Sequence, residues 1–326
     1  MKRRDFLTSS AIALASRAGL TLAPGLTSPA LAGVHKVKLK IGYLPITDHL
    51  LIIAAARESF AHVEIQPLKF SSWPDIAEAL KAGAIDGGFL LTPIGLTLRV
   101  TGVPIQAVML GHRNGSVITV KHDSGIHRIE DLRGRSIAVP SPFSTHNILL
   151  RKVLAEHQME VSEVRIIDMA PPEMVHAMAT NQIDCYIVAE PFGAQAEALE
   201  VGRVLMLSKD IWHDHICCVL NMHEDIINQY PQAVHELVNA MGRTARFVQA
   251  DPAAAAKGSV KLIGQRPEII ETVLTTPKGR ITFNDLVPRR QDFEATQGYM
   301  QQFGIAQGTA DLDAYLNDRF VRAELS

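Results

Sequence analysis

Apolar and polar positions alternate over VKLKIGY (37–43), the pattern of a strand with one buried face. The turn LPITDH follows, and then an alanine-rich apolar run from Leu50 to Glu58 that predicts a helix. Alternation returns from Val63 to Phe70. PDIAEALKA, opening at Pro74 and closed by Gly83, predicts a helix with proline in its first turn, where the missing N–H has no intrahelical partner to lose. Ala84 to Leu91 predicts a short apolar strand containing Gly87-Gly88, and Pro104 to Val120 one or two more. The rhythm restarts after Lys121, with strands predicted at 135–139, 164–168 and 183–188 and helices at 144–157 and 171–180. This βαβαβ run fits a lobe wound around a parallel sheet. A strand beginning at Cys217 then leads into a helical tail, predicted at 236–248, 253–263, 267–274, 292–303 and 310–320.

Two segments share a layout. DIAEALKAGAIDGGFL (75–90) and EMVHAMATNQIDCYIV (173–188) each run helix, turn, Ile-Asp, strand, and make Asp86 and Asp184 equivalent. The repeat predicts two lobes of similar plan, one interrupted by the other. Two crossings are expected, near 114–121 and 213–220. The corresponding division is 33–117 with 217–326 for lobe 1, and 118–216 for lobe 2.

The first 32 residues read as an export leader. MKRRDFLTSS carries paired arginines, AIALASRAGLTLA is weakly apolar and SPALAG offers Ala30 and Ala32 as small cleavage-site residues, the twin-arginine type. The apolar run is too short and broken to span a bilayer. Cleavage after Ala32 removes Lys2, Arg3, Arg4 and Arg17 with only Asp5, and moves the formal charge from −2 to −5. That balance argues against a nucleic-acid partner. Cys185, Cys217 and Cys218 are odd in number and two are adjacent, so buried free thiols are expected rather than a disulfide framework.

Five stretches in order along the chain resemble the substrate-binding proteins of ABC importers, in the branch handling nitrate, bicarbonate, sulfonates and thiamine-pyrimidine precursors. They are IGYLPITDHLLIIAA (41–55), ALKAGAIDGG (79–88), IEDLRGRSIAVPSPFSTHNILLRKVL (129–154), ATNQIDCYIVAEPFGAQA (179–196) and DIWHDHICCVLNMHEDIINQYPQAVHELVNAM (210–241). The resemblance implies an α/β fold, the type II periplasmic binding protein. Each of its two lobes is a mostly parallel sheet flanked by helices, and a ligand cleft lies between them. It implies a soluble periplasmic monomer that captures a small polar or anionic solute, delivers it to a membrane permease and catalyses nothing. The alternatives are a thiamine-pyrimidine-like ligand, or a metal-dependent enzyme or sensor on the same fold. A ligand-free scaffold is a third reading, against which stand the polar residues clustered at strand ends.

In open α/β sheets, ligands sit beyond the carboxyl ends of the strands. The candidates there are Thr47, Asp48 and His49, Thr92 after the glycine pair, the run Ser141, Ser144, Thr145 and His146, and Glu190 and Trp212. Three hydroxyls and an imidazole at one helix start exceed what capping needs. After the glycine pair the chain reads Phe-Leu-Leu-Thr-Pro, a departure from the more polar and aromatic nitrate and bicarbonate relatives. Two carboxylates, Asp48 and Glu190, also disfavour a bare anion and favour a neutral or amine-bearing ligand, or an anion held with a cation. No metal or cofactor is expected. The alternative metal set is His213, His215 and Cys217, which would share one face if the segment were a strand.

Overall fold

A computed structural model describes residues 36–306 and 308–321, so the leader assigned to residues 1–32 lies outside the described residues. The strands in chain order are β1 (Val37–Tyr43), β2 (Val63–Lys69), β3 (Gly87–Leu91), β4 (Ile105–Leu110), β5 (Arg113–Asn114) and β6 (Ser116–Lys121). They continue with β7 (Ser136–Val139), β8 (Arg165–Asp168), β9 (Cys185–Ala189), β10 (Gly202–Leu207), β11 (Cys218–His223) and β12 (Ile281–Thr282).

Two five-stranded sheets form, ordered β2-β1-β3-β11-β4 and β8-β7-β9-β6-β10. In each, four strands run the same way and one is reversed. β11 is antiparallel to both β3 and β4, and β6 is antiparallel to both β9 and β10. The reversed strands are the ones that follow the crossings. β3 and β9 are buried throughout, which explains their unbroken apolar sequence, because helices cover both faces of a central strand. Full burial of a side chain such as Leu90 contributes about 1.5–3 kcal/mol. The edge strands β2 and β8 keep exposed charged residues, which discourage pairing with a second chain.

The internal repeat has a physical cause. Asp86 accepts from the Lys40 N–H at 2.7 Å while its own N–H donates to the Lys40 carbonyl at 3.0 Å. Asp184 makes the same pair with Ser136, at 2.7 and 3.1 Å. Each aspartate locks the strand it leads into against a parallel neighbour, β3 against β1 and β9 against β7. Gly87 is required by close approach: a Cβ there would lie 2.9 Å from the Asn221 carbonyl oxygen on β11.

The chain segments 111–116 and 212–217 run side by side between the two sheets. The Asn114 N–H donates to the His215 carbonyl, and buried Arg113 donates to the Asp214 carbonyl at 2.9 Å and to Asp292 at 2.8 Å. β5 pairs with β12 beside them.

Two expected helices differ. The one predicted from Leu50 is a 3₁₀ segment, Thr47–Ile53, followed by one α turn, Ala54–Arg57. The Leu44 N–H donates to His49 Nδ1 at 2.8 Å, and His49 sits at φ −106°, ψ 19°, outside helical geometry. The last predicted helix shrinks to Leu312–Tyr315. Leu316 bridges to Ala107 and the Asn317 N–H donates to the Ala107 carbonyl, so the chain seals the edge of β4 instead of continuing the helix.

Candidate functional site

The carboxyl ends of β1, β3 and β4, the first residues of β11 and the loops after β7 and β9 converge on one buried polar region. Asp48, His49, Thr92, His112, Thr145, His146 and Glu190 are all fully buried, and His215 nearly so. Such groups normally find hydrogen-bond partners. Here both Asp48 carboxylate oxygens, His49 Nε2, Trp73 Nε1, His112 Nδ1, Thr145 Oγ1, His146 Nδ1 and His215 Nε2 have none among the described residues.

The imidazoles differ in what they offer. His49 accepts a backbone N–H at Nδ1, so its proton sits on Nε2 and that atom is an unused donor. His215 Nδ1 lies 3.2 Å from the Ile216 carbonyl and must donate to it, so Nε2 presents a lone pair. Burial holds the His215 imidazole near 4, neutral at ordinary pH. His146 is tied through Nε2 to Ser116 Oγ at 3.0 Å, linking the helix Thr145–Glu156 to β6. His49, Trp73 and His146 form an aromatic wall, with ring centroids 6.1 and 5.6 Å from the indole.

Asp48 and His112 face each other at the centre, Oδ2 to Nε2, 3.1 Å apart but without hydrogen-bond alignment. Burial pushes the Asp48 carboxyl up to about 7 against the pull of His112. For His112 burial opposes the charge, and Asp48 outweighs it, raising the imidazole to about 10. Cys217 and Cys218 lie beside them. Burial opposes the Cys217 thiolate, yet Cys218, His146 and His112 together hold the thiol well below its usual range. Gly115, at φ +90°, admits this packing: a Cβ would lie 2.9 Å from Asp48 Oδ1 and 3.0 Å from His112 Nδ1.

The structure sorts the residues expected from sequence. Asp48, His49, Thr145 and His146 meet in the buried region with free polar atoms. Thr47 spans the two sheets, both its N–H and its hydroxyl donating to the Glu190 carbonyl, at 2.9 and 2.7 Å. Thr92 donates from N and Oγ1 to the Cys217 carbonyl. Ser144 is an N-cap: it accepts from Asn147 N at 3.0 Å and donates to the Ser141 carbonyl, while Ser141 accepts from Phe143 N. Capping therefore accounts for two of the three hydroxyls.

The Glu190 carboxylate is already engaged. One oxygen receives Nε and Nη2 of Arg280, and the other receives Ala194 N at 3.1 Å. Trp212 is only half-buried and packs on Tyr299 at 4.8 Å. The alternative metal set does not assemble: the segment is a turn with Asp214 at φ 55°, and His213 is exposed while His215 and Cys217 are buried. The sequence reading missed His112, Arg280 and Trp73. His112 was within reach, as a polar residue directly after β4 and before a crossing. Two surface depressions, one lined by Pro288, Arg290 and Asp313 and one by His235, Glu236 and Arg243, contain none of these residues.

Two sheets of one plan, each mostly parallel with a reversed crossing strand, and buried polar groups at their facing ends, define a type II periplasmic-binding fold. Solved structures agree. The ligand-binding component of an ABC-type import system from Staphylococcus aureus, with zinc bound, superposes with a TM-score of 0.80 at 24% identity, over 88% of this chain and 98% of that one. The nitrate-binding protein NrtA from Synechocystis PCC 6803 gives 0.78 at 18% identity over 88% of each chain. The chain belongs to the NMT1-like family, whose model matches residues 32–264. It is also similar to the nitrate import ATP-binding protein NrtC of Synechocystis, 29% identical over 64% of this chain and 34% of that protein. The chain thus spans about a third of the length of that relative. Among the described residues no helix is long and apolar enough to cross a membrane.

Proposed function

We propose that this chain is the solute-binding component of an ABC importer, exported by its twin-arginine leader and working as a periplasmic monomer. In this reading residues 33–117 with 217–326 form one lobe and 118–216 the other, and the solute is enclosed where they meet. The single observation that carries it is the set of buried, unpartnered donors and acceptors drawn from both sheets: Asp48, His49 and Trp73 from one, Thr145 and His146 from the other. Each such atom costs about 1–3 kcal/mol when left unsatisfied, so a molecule satisfying several binds strongly. Closure follows from differential affinity, because only the shut form presents both sets of groups. The Thr47–Glu190 hydrogen bonds and the Arg280–Glu190 pair hold that form. The permease then reads the closed shape.

The reading assigns no catalysis. A bare nitrate or bicarbonate would face the Asp48 carboxylate, while Arg280 is already committed to Glu190. A neutral or amine-bearing solute, or an anion accompanied by a cation, fits better. The test is thermal unfolding of ligand-stripped protein against nitrate, bicarbonate, sulfonates, pyrimidine precursors, amino acids and metals. A solute at a hundred times its Kd adds about 2.7 kcal/mol. An unmoved Tm across the panel favours the ligand-free scaffold instead.

A further inference from the structure

We propose that Asp48, His112, Cys217 and Cys218 form a binding site for one transition-metal ion of the zinc class. The proposal deepens the solute-binding reading by naming what the buried region holds, and rests on that reading only for delivery to a permease. One ligand atom from each residue lies within 4.8 Å of all the others, and all four residues are buried. The donor set is two sulfurs, one imidazole nitrogen and one carboxylate oxygen, the mixture zinc takes in tetrahedral sites. Zinc holds such atoms at about 2.0–2.3 Å, which places them roughly 3–4 Å from one another. Small side-chain movements bring the four residues there. Calcium and magnesium are disfavoured because they select oxygen ligands.

A second observation points the same way. Neither Asp48 oxygen has a hydrogen-bond partner, and His215 Nε2, beside the thiols, also offers an unused lone pair. A metal ion seated among these acceptors, with His112 giving up its proton to ligate it, satisfies them. The buried guanidiniums of Arg280 and Arg113 are engaged elsewhere, by Glu190 and by Asp292.

The backbone holds the ligands rigidly. Both donors of Thr92 clamp the Cys217 carbonyl, and the Gly111 N–H clamps the Cys218 carbonyl at 2.8 Å, so the two adjacent cysteines are fixed at the start of β11. Gly111 and Gly115 leave the space that Asp48 occupies: a Cβ on Gly111 would press its carbonyl oxygen at 3.2 Å, and one on Gly115 its Oδ1 at 2.9 Å. Ligands placed on strand ends and packed from behind are preorganised. Each coordinating thiol or imidazolium that still carries a proton at its donor atom releases it to solvent, so uptake of the ion is accompanied by proton release.

The experiment uses the full chain, unfolded in chelator and reductant, refolded and freed of both. Co²⁺ titration is expected to give a thiolate-to-cobalt charge-transfer band saturating at one equivalent, and Zn²⁺ to abolish it. Elemental analysis after gel filtration is expected to find one zinc per chain. Cys217→Ser, Cys218→Ser and Asp48→Asn, each checked for a native circular dichroism spectrum, are expected to weaken cobalt binding at least tenfold, with His213→Ala unchanged. Because any one variant can misfold, the wild-type cobalt spectrum stands as the independent readout. Thermal shifts with nitrate or bicarbonate, with and without Zn²⁺, separate the two sources of a bound ion. A shift from Zn²⁺ alone marks the ion as the solute, and an anion shift that needs Zn²⁺ marks a metal-held anion. Absence of the band together with a metal-independent solute shift overturns the metal site and leaves the binding protein standing. Absence of both overturns both.

Discussion

Asp48 and Glu190 are both completely buried carboxylates at the junction of the two sheets, and they are treated in opposite ways. Glu190 is saturated: Arg280 donates twice to one oxygen and Ala194 N to the other. Asp48 has only a misaligned imidazole. Burying a carboxylate is costly in either case; Glu190 is compensated by aligned hydrogen bonds from Arg280 and Ala194, and Asp48 only by the charge of His112. On the proposed reading the difference separates a clasp from a binding site: Glu190 links the two sheets through Thr47 and Arg280, and Asp48 keeps its oxygens for a ligand.

The clasp side of that comparison breaks most severely. Arg280→Met leaves Glu190 buried without its charge partner, and is expected to cost about 3–5 kcal/mol in denaturant unfolding. Adding Glu190→Gln should recover part of the loss, and no recovery would mean that the pair is not the cause. Gly115→Ala comes next. Its Cβ meets Asp48 and His112 from a left-handed backbone, and a loss of about 1–3 kcal/mol is expected. A variant as stable as wild type would show that the Asp48–His112 packing is looser than described.

Smaller effects sharpen the contrast within the helix start. Ser144→Ala removes a cap and should cost about 1 kcal/mol while leaving solute affinity unchanged. Thr145→Ala should do the reverse, and calorimetric titration of both variants checks the exchange of roles. Asp184 is the third comparison, a carboxylate satisfied at the surface. Burial opposes its charge, but the Ser136 hydroxyl and N–H with Arg135 outweigh burial and hold it below the usual range. A lowered folded value means that its stabilisation is present above about pH 4 and is lost as pH falls through the folded value. Asp184→Asn should therefore flatten the acid limb of the stability curve slightly, and an unchanged limb would contradict that role.

What the sequence made legible follows from range. The Ile-Asp repeat and the alternation of strands and helices are written in local periodicity, because each aspartate locks neighbouring strands of its own sheet in the same way. Asp48, His49 and His146 were expected at strand ends, where such folds place ligands, and the structure buries them in one region. Ser141 and Ser144 misled because a capping hydroxyl and a binding hydroxyl look alike in a sequence. Arg280 was invisible, since it reaches Glu190 across 90 positions. His112 reaches the Cys218 N–H across 106, and a single sequence does not encode which distant segments meet. The metal alternative failed for a local reason: one left-handed residue, Asp214, turns His213 away from Cys217 and makes the segment a turn instead of a strand.

The most direct test is the Tm of stripped wild type and of Asp48→Asn, each with and without the strongest ligand from the panel. Asp48→Asn keeps the size of the side chain, and its stability without ligand should stay within about 1 kcal/mol of wild type at pH 7. The account predicts a ligand shift worth about 2.7 kcal/mol at a hundred times Kd in wild type, and little or none in the variant. Equal shifts in the two proteins would contradict it and place the ligand away from Asp48.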